Sequence, residues 1–226
     1  MKKAIIILGF LGLIIFGGLY AKRKFYDPNH PLENAKTEVK HLANNDEIKN
    51  GDLIFQGSLS EQSKAIQLAP KSKYSHCGLI YKDGKEFYVF EAVQPVKRTP
   101  LDKWIARGEN EHYVIKRLKN ADEVLTPATL KKMKQIGDNF NGKNYDLTFE
   151  WSDDKIYCSE LIWKIYKRAT GIEIGKLEKL SDFDLTNEAV KKKMKERYGD
   201  KIPSNEIVIS PAAIFDSDLL TTLKAN

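Results

Sequence analysis

Cysteine is nearly absent from this chain of 226 residues, which holds only Cys77 and Cys158. Neither has a second cysteine or a histidine at the spacing of a zinc-binding loop, so no metal is expected, and two thiols cannot make a disulfide scaffold. Glycine (14) and proline (8) are too sparse for a collagen-like or low-complexity chain. No internal repeat is visible, and the length suits one domain with one sizeable core.

Acid is missing altogether from residues 1–24, which carry Lys2, Lys3, Lys22, Arg23 and Lys24. These five account for most of the net charge of +6, so the chain after residue 24 is close to neutral. Such a body lacks the basic footprint that dominates nucleic-acid affinity, and nucleic acid is not an expected partner. The run Lys191, Lys192, Lys193, Lys195 and Arg197 reads as the solvated face of a helix.

Charge of either sign is missing from residues 4–21, AIIILGFLGLIIFGGLYA. As a helix this segment would span about 27 Å, nearly the thickness of a bilayer core. Residues 1–24 are therefore read as a membrane anchor, with the body outside the cytoplasm because a short basic N-terminus usually stays inside. The alternative is a cleaved signal that leaves a secreted or periplasmic body, although Leu19 and Ala21 make a poor cleavage site.

Residues 25–46 read as a linker and a short helix with Leu32, Ala35, Val39 and Leu42 on one side. A strand is expected at 51–55 (GDLIF), then a helix through Leu68 announced by the capping-box spacing of Ser58 and Glu61. The runs 73–81 (KYSHCGLIY) and 86–93 (EFYVFEAV) flank Asp83-Gly84, a strong hairpin signal. Thr99-Pro100 suits an N-cap and first helical position before Trp104, and Thr126-Pro127 repeats it before a helix with Leu130, Met133, Ile136 and Phe140. Strands are expected at 112–118, 144–150 and 206–210, and a polar helix at 186–197. In 156–168 (IYCSELIWKIYKR) the pattern turns helical after Cys158, with Leu161, Ile162, Ile165 and Tyr166 forming a stripe and Gly171 stopping it.

A thiol at a helix start feels the positive end of the helix dipole, and a nearby imidazolium lowers its pKa further. Cys158 fits by position; the competing readings are a buried structural cysteine and a Cys77–Cys158 disulfide. A two-residue turn at Asp83-Gly84 would set His76 directly opposite Glu91, close enough for the carboxylate to hold the imidazole. Cys77 then points to the other face, into the core.

SHCGLIY, FEAV, NYD and YCSELIWKIY, in that order after GDLIF, resemble the YiiX-like branch of the permuted papain-fold amidases, relatives of the NlpC-type cell-wall peptidases. The resemblance runs from about Gly51 to the SPAAIFDSDLL segment at 210–220. It implies an α+β fold in circularly permuted papain-like order, a central antiparallel sheet with the nucleophile-bearing helix packed against it, over residues 47–220 with 221–226 as a tail. It also implies Cys158 as nucleophile, His76 as general base and Glu91 as third member, with Asp52 and Tyr145 near the site for substrate or oxyanion binding. The bland readings of those last two are a strand-end turn residue and a core aromatic. In the related lipid acyltransferases the third position is a histidine, which disfavours that assignment here.

The expected function is therefore a membrane-associated cysteine amidase or peptidase acting on a peptide, muropeptide or lipid-like envelope substrate, without cofactor. The alternatives are a thiol-dependent lipid acyltransferase or lipase, and a non-catalytic envelope-binding module.

Overall fold

The computed structural model describes residues 30–226; the proposed anchor at 4–21 lies outside the described residues. Among the described residues no helix is long and apolar enough to cross a membrane. The fold is α+β, built on a six-stranded antiparallel sheet of order β4-β3-β2-β1-β5-β8. The strands are β1 (Leu53–Gln56), β2 (His76–Asp83), β3 (Glu86–Glu91), β4 (Lys97–Pro100), β5 (Val114–Leu118) and β8 (Leu220–Ala225). A separate two-stranded sheet pairs β6 (Glu178–Lys179) with β7 (Ile207–Val208).

Alternation along the strands sends side chains into two cores. Leu53, Phe55, Cys77, Leu79 and Phe90 face one side, where they meet Leu161, Ile162 and Ile165 of the helix Cys158–Thr170. Ile54, Ile80 and Val89 face the other, against Ala35 and Leu42 of α1 (His30–Asn44) and Trp104 of α3 (Leu101–Ala106). Between these come α2 (Glu61–Leu68), α4 (Ala121–Val124) and α5 (Pro127–Asp138), so the helix that begins at Cys158 is α6. Beyond it lie α7 (Glu188–Tyr198) and α8 (Pro211–Phe215).

Several local expectations are corrected. The cap of α2 is Ser60, whose side chain accepts from Ser63 N, not Ser58. Thr99 and Pro100 end β4, and Pro100, not Thr99, takes the N-cap position of α3, without a side-chain cap bond, so the helix starts one residue later than expected. Residues 144–150 form no strand: one bridge, Tyr145 to Ile156, interrupts a loop whose turn is made by Asp146 accepting from Thr148 N at 2.8 Å. Residues 221–226 are no tail, since β8 pairs with β5 as an edge strand. The short helix expected within 25–46 forms as α1, and Ala35 and Leu42 on its apolar side are fully buried in the second core.

The β2–β3 hairpin keeps its strands and changes its register. Asp83 pairs with Glu86, so the turn residues are Gly84-Lys85 and not Asp83-Gly84. Gly84 has φ +61° at the first central position, where a II′-type turn favours glycine. Glu91 then stands two residues further along than a turn at Asp83-Gly84 would place it. A slip of two leaves every side chain on its expected face.

Candidate active site

Helix α6 places Cys158 at its first residue, after Tyr157 in extended conformation (φ −106°, ψ 168°). The stripe Leu161, Ile162, Ile165 and Tyr166 is buried against the sheet, and Gly171 ends the helix at φ +79°, left-handed backbone that suits glycine. Two bonds pin the helix start: the Tyr157 hydroxyl accepts from Ile209 N at 3.1 Å, and Ser159 Oγ donates to Ile209 O at 2.7 Å. The backbone donors of the first turn carry no side-chain cap, so they can face a reacting oxygen.

His76 opens β2 at the sheet end where α6 begins. Its Nε2 lies 2.6 Å from Glu91 Oε2, although the two are not directly opposed. Glu91 in β3 falls opposite Gly78, whose missing side chain leaves room for the carboxyl to lean toward His76. Two diagonal neighbours on one face are within reach of side chains this long.

Glu91 is fully buried and is held from every side. Thr99 Oγ1 donates to its Oε1 at 2.5 Å; Trp104 Nε1 donates to Oε2 at 2.9 Å; Arg107 Nη2 adds a third donor at that same oxygen. The Trp104 ring also stacks on the His76 imidazole, with centroids 5.9 Å apart and planes 26° from parallel. Sequence reasoning missed Thr99, Trp104 and Arg107. Their only signal was parity: two residues on β4 and one turn of α3 bring Thr99 and Trp104 to the face that Glu91 uses.

The electrostatics follow from these contacts. Burial alone would lower the His76 pKa, but hydrogen bonds and charges from Cys158 and Glu91 outweigh it and raise the imidazole to about 9. Burial would raise the Glu91 carboxyl, yet His76 and Arg107 bring it down to about 2. The Cys158 thiol is driven well below its ordinary value, first by a hydrogen bond from the Cys77 side chain, against burial, and then by His76. Cys77 moves the opposite way, because burial and the Cys158 thiolate both keep its proton on. These directions favour a thiolate at Cys158 paired with a protonated His76, while Cys77 keeps its proton. Both cysteines are free.

Cys77 is thus in the core, as its strand position predicts, and that core cluster also holds Cys158. Tyr145 lies at the site too, lining one cavity with Cys158 and another with His76. Its backbone N donates to Gln94 Oε1 at 2.7 Å. Asp52 does not belong here. It sits four residues before Gln56, the residue paired with His76, and is therefore about 13 Å away along the strand. Its carboxylate is taken by Arg117 Nε at 2.6 Å and Nη2 at 2.8 Å, and by Lys49 N at 2.7 Å. A buried acid needs such partners, and Asp52 finds them at the far end of β1.

A helix-start cysteine on one face of an antiparallel sheet, with a histidine on a strand earlier in the chain, defines a papain-like fold in permuted order. Residues 47–224 match the family described as permuted papain-like amidase enzymes, YaeF/YiiX, and the chain belongs to that family. It is 49% identical over 175 residues to the uncharacterized protein YiiX of Escherichia coli (strain K12), covering 77% of this chain and 85% of that one. It is also similar to a crystal structure described as the metalloprotein yiiX of Escherichia coli O157:H7, with TM-score 0.76 and 49% identity over 80% of this chain and 98% of that chain.

Proposed function

We propose that the protein is a membrane-associated cysteine amidase or peptidase that cleaves an envelope substrate through Cys158, His76 and Glu91. The observation that carries this reading is the buried Glu91 carboxylate bonded to the His76 imidazole at 2.6 Å, beside a helix-start Cys158 whose pKa is held below the ordinary thiol value by Cys77 and His76. The Cys158 thiolate attacks the substrate carbonyl, and the Cys158 backbone N–H at the helix start receives the developing oxyanion. His76 then gives its proton to the leaving group. Water, deprotonated by the same imidazole, attacks the thioester and restores the thiolate. Glu91 keeps the ring oriented and supports its positive charge without reacting.

Membrane attachment rests on the uncharged run at 4–21 with lysine and arginine at both ends, which also supports an extracytoplasmic body. The description as a metalloprotein belongs to the Escherichia coli relative; among the described residues no group of three or more histidine, cysteine or acidic side chains is placed to hold an ion. The test is a side-by-side screen of cell-wall fragments and phospholipids with wild type and Cys158→Ala, using intact mass to find the acyl group on Cys158. Turnover that survives in Cys158→Ala refutes the assignment.

A further inference from the structure

Few large hydrophobic side chains stay exposed among the described residues, and two of them border the groove that His76 lines. That groove, of about 460 Å³, also takes in Ser58, Ser60 and Tyr145. Leu147 lines it directly and is 53% exposed; Leu59, between Ser58 and Ser60, is 83% exposed. A single exposed leucine needs no explanation, but two on separate loops at one mouth call for something that covers them.

The place where the chain enters the body says what that is. Near the start of α1, Asn34 Nδ2 donates to Glu111 Oε1 at 3.4 Å. Two residues earlier, Glu109 N donates at 3.0 Å to the carbonyl of Gly57, which lies two residues before Leu59. Helix α1 then runs away from the groove: beyond its other end, Glu47 O accepts from Arg117 Nη2 at 3.1 Å, beside Asp52 at the far end of β1. His30 therefore enters at the active-site end. Eight residues, 22–29, separate it from the uncharged run at 4–21, and fully extended they reach at most about 29 Å. A globular body of about 200 residues is about 40 Å across. Tethered at its active-site end by so short a linker, it cannot stand on its opposite end against the bilayer.

Resting on the membrane-anchor part of the reading above, we propose that the mouth of the active site docks on the bilayer that holds residues 4–21, with Leu59 and Leu147 inserted at the boundary of headgroups and acyl chains. Leucine at that depth exchanges water for hydrocarbon. Two leucines are too few to hold a free protein on a membrane, but the tether makes the contact intramolecular and raises its effective concentration. The groove then opens onto the membrane surface. The substrate that reaches His76 and Cys158 is one carried in that bilayer or lying on it, not one diffusing in bulk water.

The test is tryptophan fluorescence of the full-length chain in nanodiscs of phosphatidylcholine and phosphatidylglycerol, with and without bromine on the acyl chains. Leu59→Trp and Leu147→Trp are each made in a Cys158→Ala background and read as the emission added over that background alone. Leu219→Trp is the control, because Leu219 is also exposed but lies at the far end of β5, where its carbonyl accepts from Lys119 N at 2.9 Å. All three positions are exposed, so the new rings leave the core untouched. Bromine quenches only at close range, so the emission added at 59 and at 147 is expected to shift to the blue and to be lost in brominated discs, while that added at 219 persists. Unquenched emission at either 59 or 147, or equal quenching at 219, overturns the docking and leaves the anchor standing. A full-length chain that does not co-purify with the discs overturns the anchor reading and the docking with it. With Cys158 replaced, neither result depends on acyl transfer.

Discussion

Replacing Glu91 by glutamine changes one atom and should show how much of the site depends on charge. Glu91 Oε2 receives His76, Trp104 and Arg107, whereas Oε1 receives only Thr99. A glutamine therefore keeps most of the network by turning its oxygen to the Oε2 side and its NH₂ toward Thr99, whose hydroxyl can accept as well as donate. The ring keeps its tautomer but loses the ionic part of its bond, roughly 1.5–3 kcal/mol against about 1 kcal/mol for a neutral bond. With about 1.4 kcal/mol per tenfold, kcat/KM is expected to fall between a few-fold and about thirtyfold, far less than in Cys158→Ala or His76→Ala. The His76 pKa should move down from about 9, drawing in the alkaline limb of the rate profile.

Stability supplies an independent check on the same variant. Glu91 at about 2, below the ordinary 4.5, contributes stability that is present above pH 4.5 and lost as pH falls through about 2. His76 at about 9, above 6.5, contributes stability that is present below pH 6.5 and lost as pH rises through about 9. The shared interaction is worth roughly 3 kcal/mol near pH 5.5, counted once for the pair. In Glu91→Gln the acid limb assigned to Glu91 should vanish and the alkaline one shrink, measured by urea unfolding at stepped pH. If the folded variant is as inactive as Cys158→Ala, or if its rate and unfolding profiles match wild type, the reasoning is refuted.

Mild iodoacetamide near pH 6 should label Cys158 and spare Cys77, because only the former is held as thiolate; peptide mapping that finds mainly Cys77 labelled overturns this. Gly78→Ala would push a methyl into Val89 and within 3.5 Å of Glu91 Cβ, so the protein should lose both stability and rapid Cys158 alkylation; unchanged alkylation means the close approach of Glu91 to Gly78 is dispensable. Glu160, fully buried in α6 with its pKa pushed up to about 7 by burial, disfavours the folded state increasingly as pH rises from 4.5 to 7. Glu160→Gln should therefore raise the melting temperature at pH 8, by up to roughly 3 kcal/mol in stability, since Lys164 keeps Asp153 at 2.8 Å; a fall at pH 8 refutes it. Deleting residues 1–24 should release the body from membranes in cell fractionation, and a full-length protein already soluble at full mass contradicts the anchor.

The parts of this site that were legible in the sequence are those fixed by local chemistry or by parity. Cys158 could be placed at a helix start because an apolar stripe begins three residues after it and Gly171 closes the turn, both properties of the segment itself. His76 and Glu91 could be placed together because parity tolerates an error of two: the hairpin turns at Gly84-Lys85, yet both side chains stay on one face and long side chains bridge the diagonal. Asp52 shows the limit of the family resemblance, since the same strand that brings Gln56 beside His76 carries Asp52 to its other end.

What could not be read is whatever needs a third element. Thr99 is a donor to Glu91 only because β4 pairs with β3, and Trp104 only because α3 folds back over that face; Thr99-Pro100 viewed alone looks like a helix cap. The core cluster that holds both Cys77 and Cys158 joins a strand to a helix that begins 81 positions later, and no local pattern encodes it. The consequence reaches the chemistry. The buried Glu91 carboxylate is stable only with the donors that tertiary packing supplies, so the residues invisible to sequence reasoning are those that keep the visible pair charged. Substitutions at Thr99 or Trp104 should therefore shift the pH dependence of Cys158 alkylation without touching sulfur or imidazole chemistry directly, whereas a purely structural role for them would lower stability and leave that pH dependence in place.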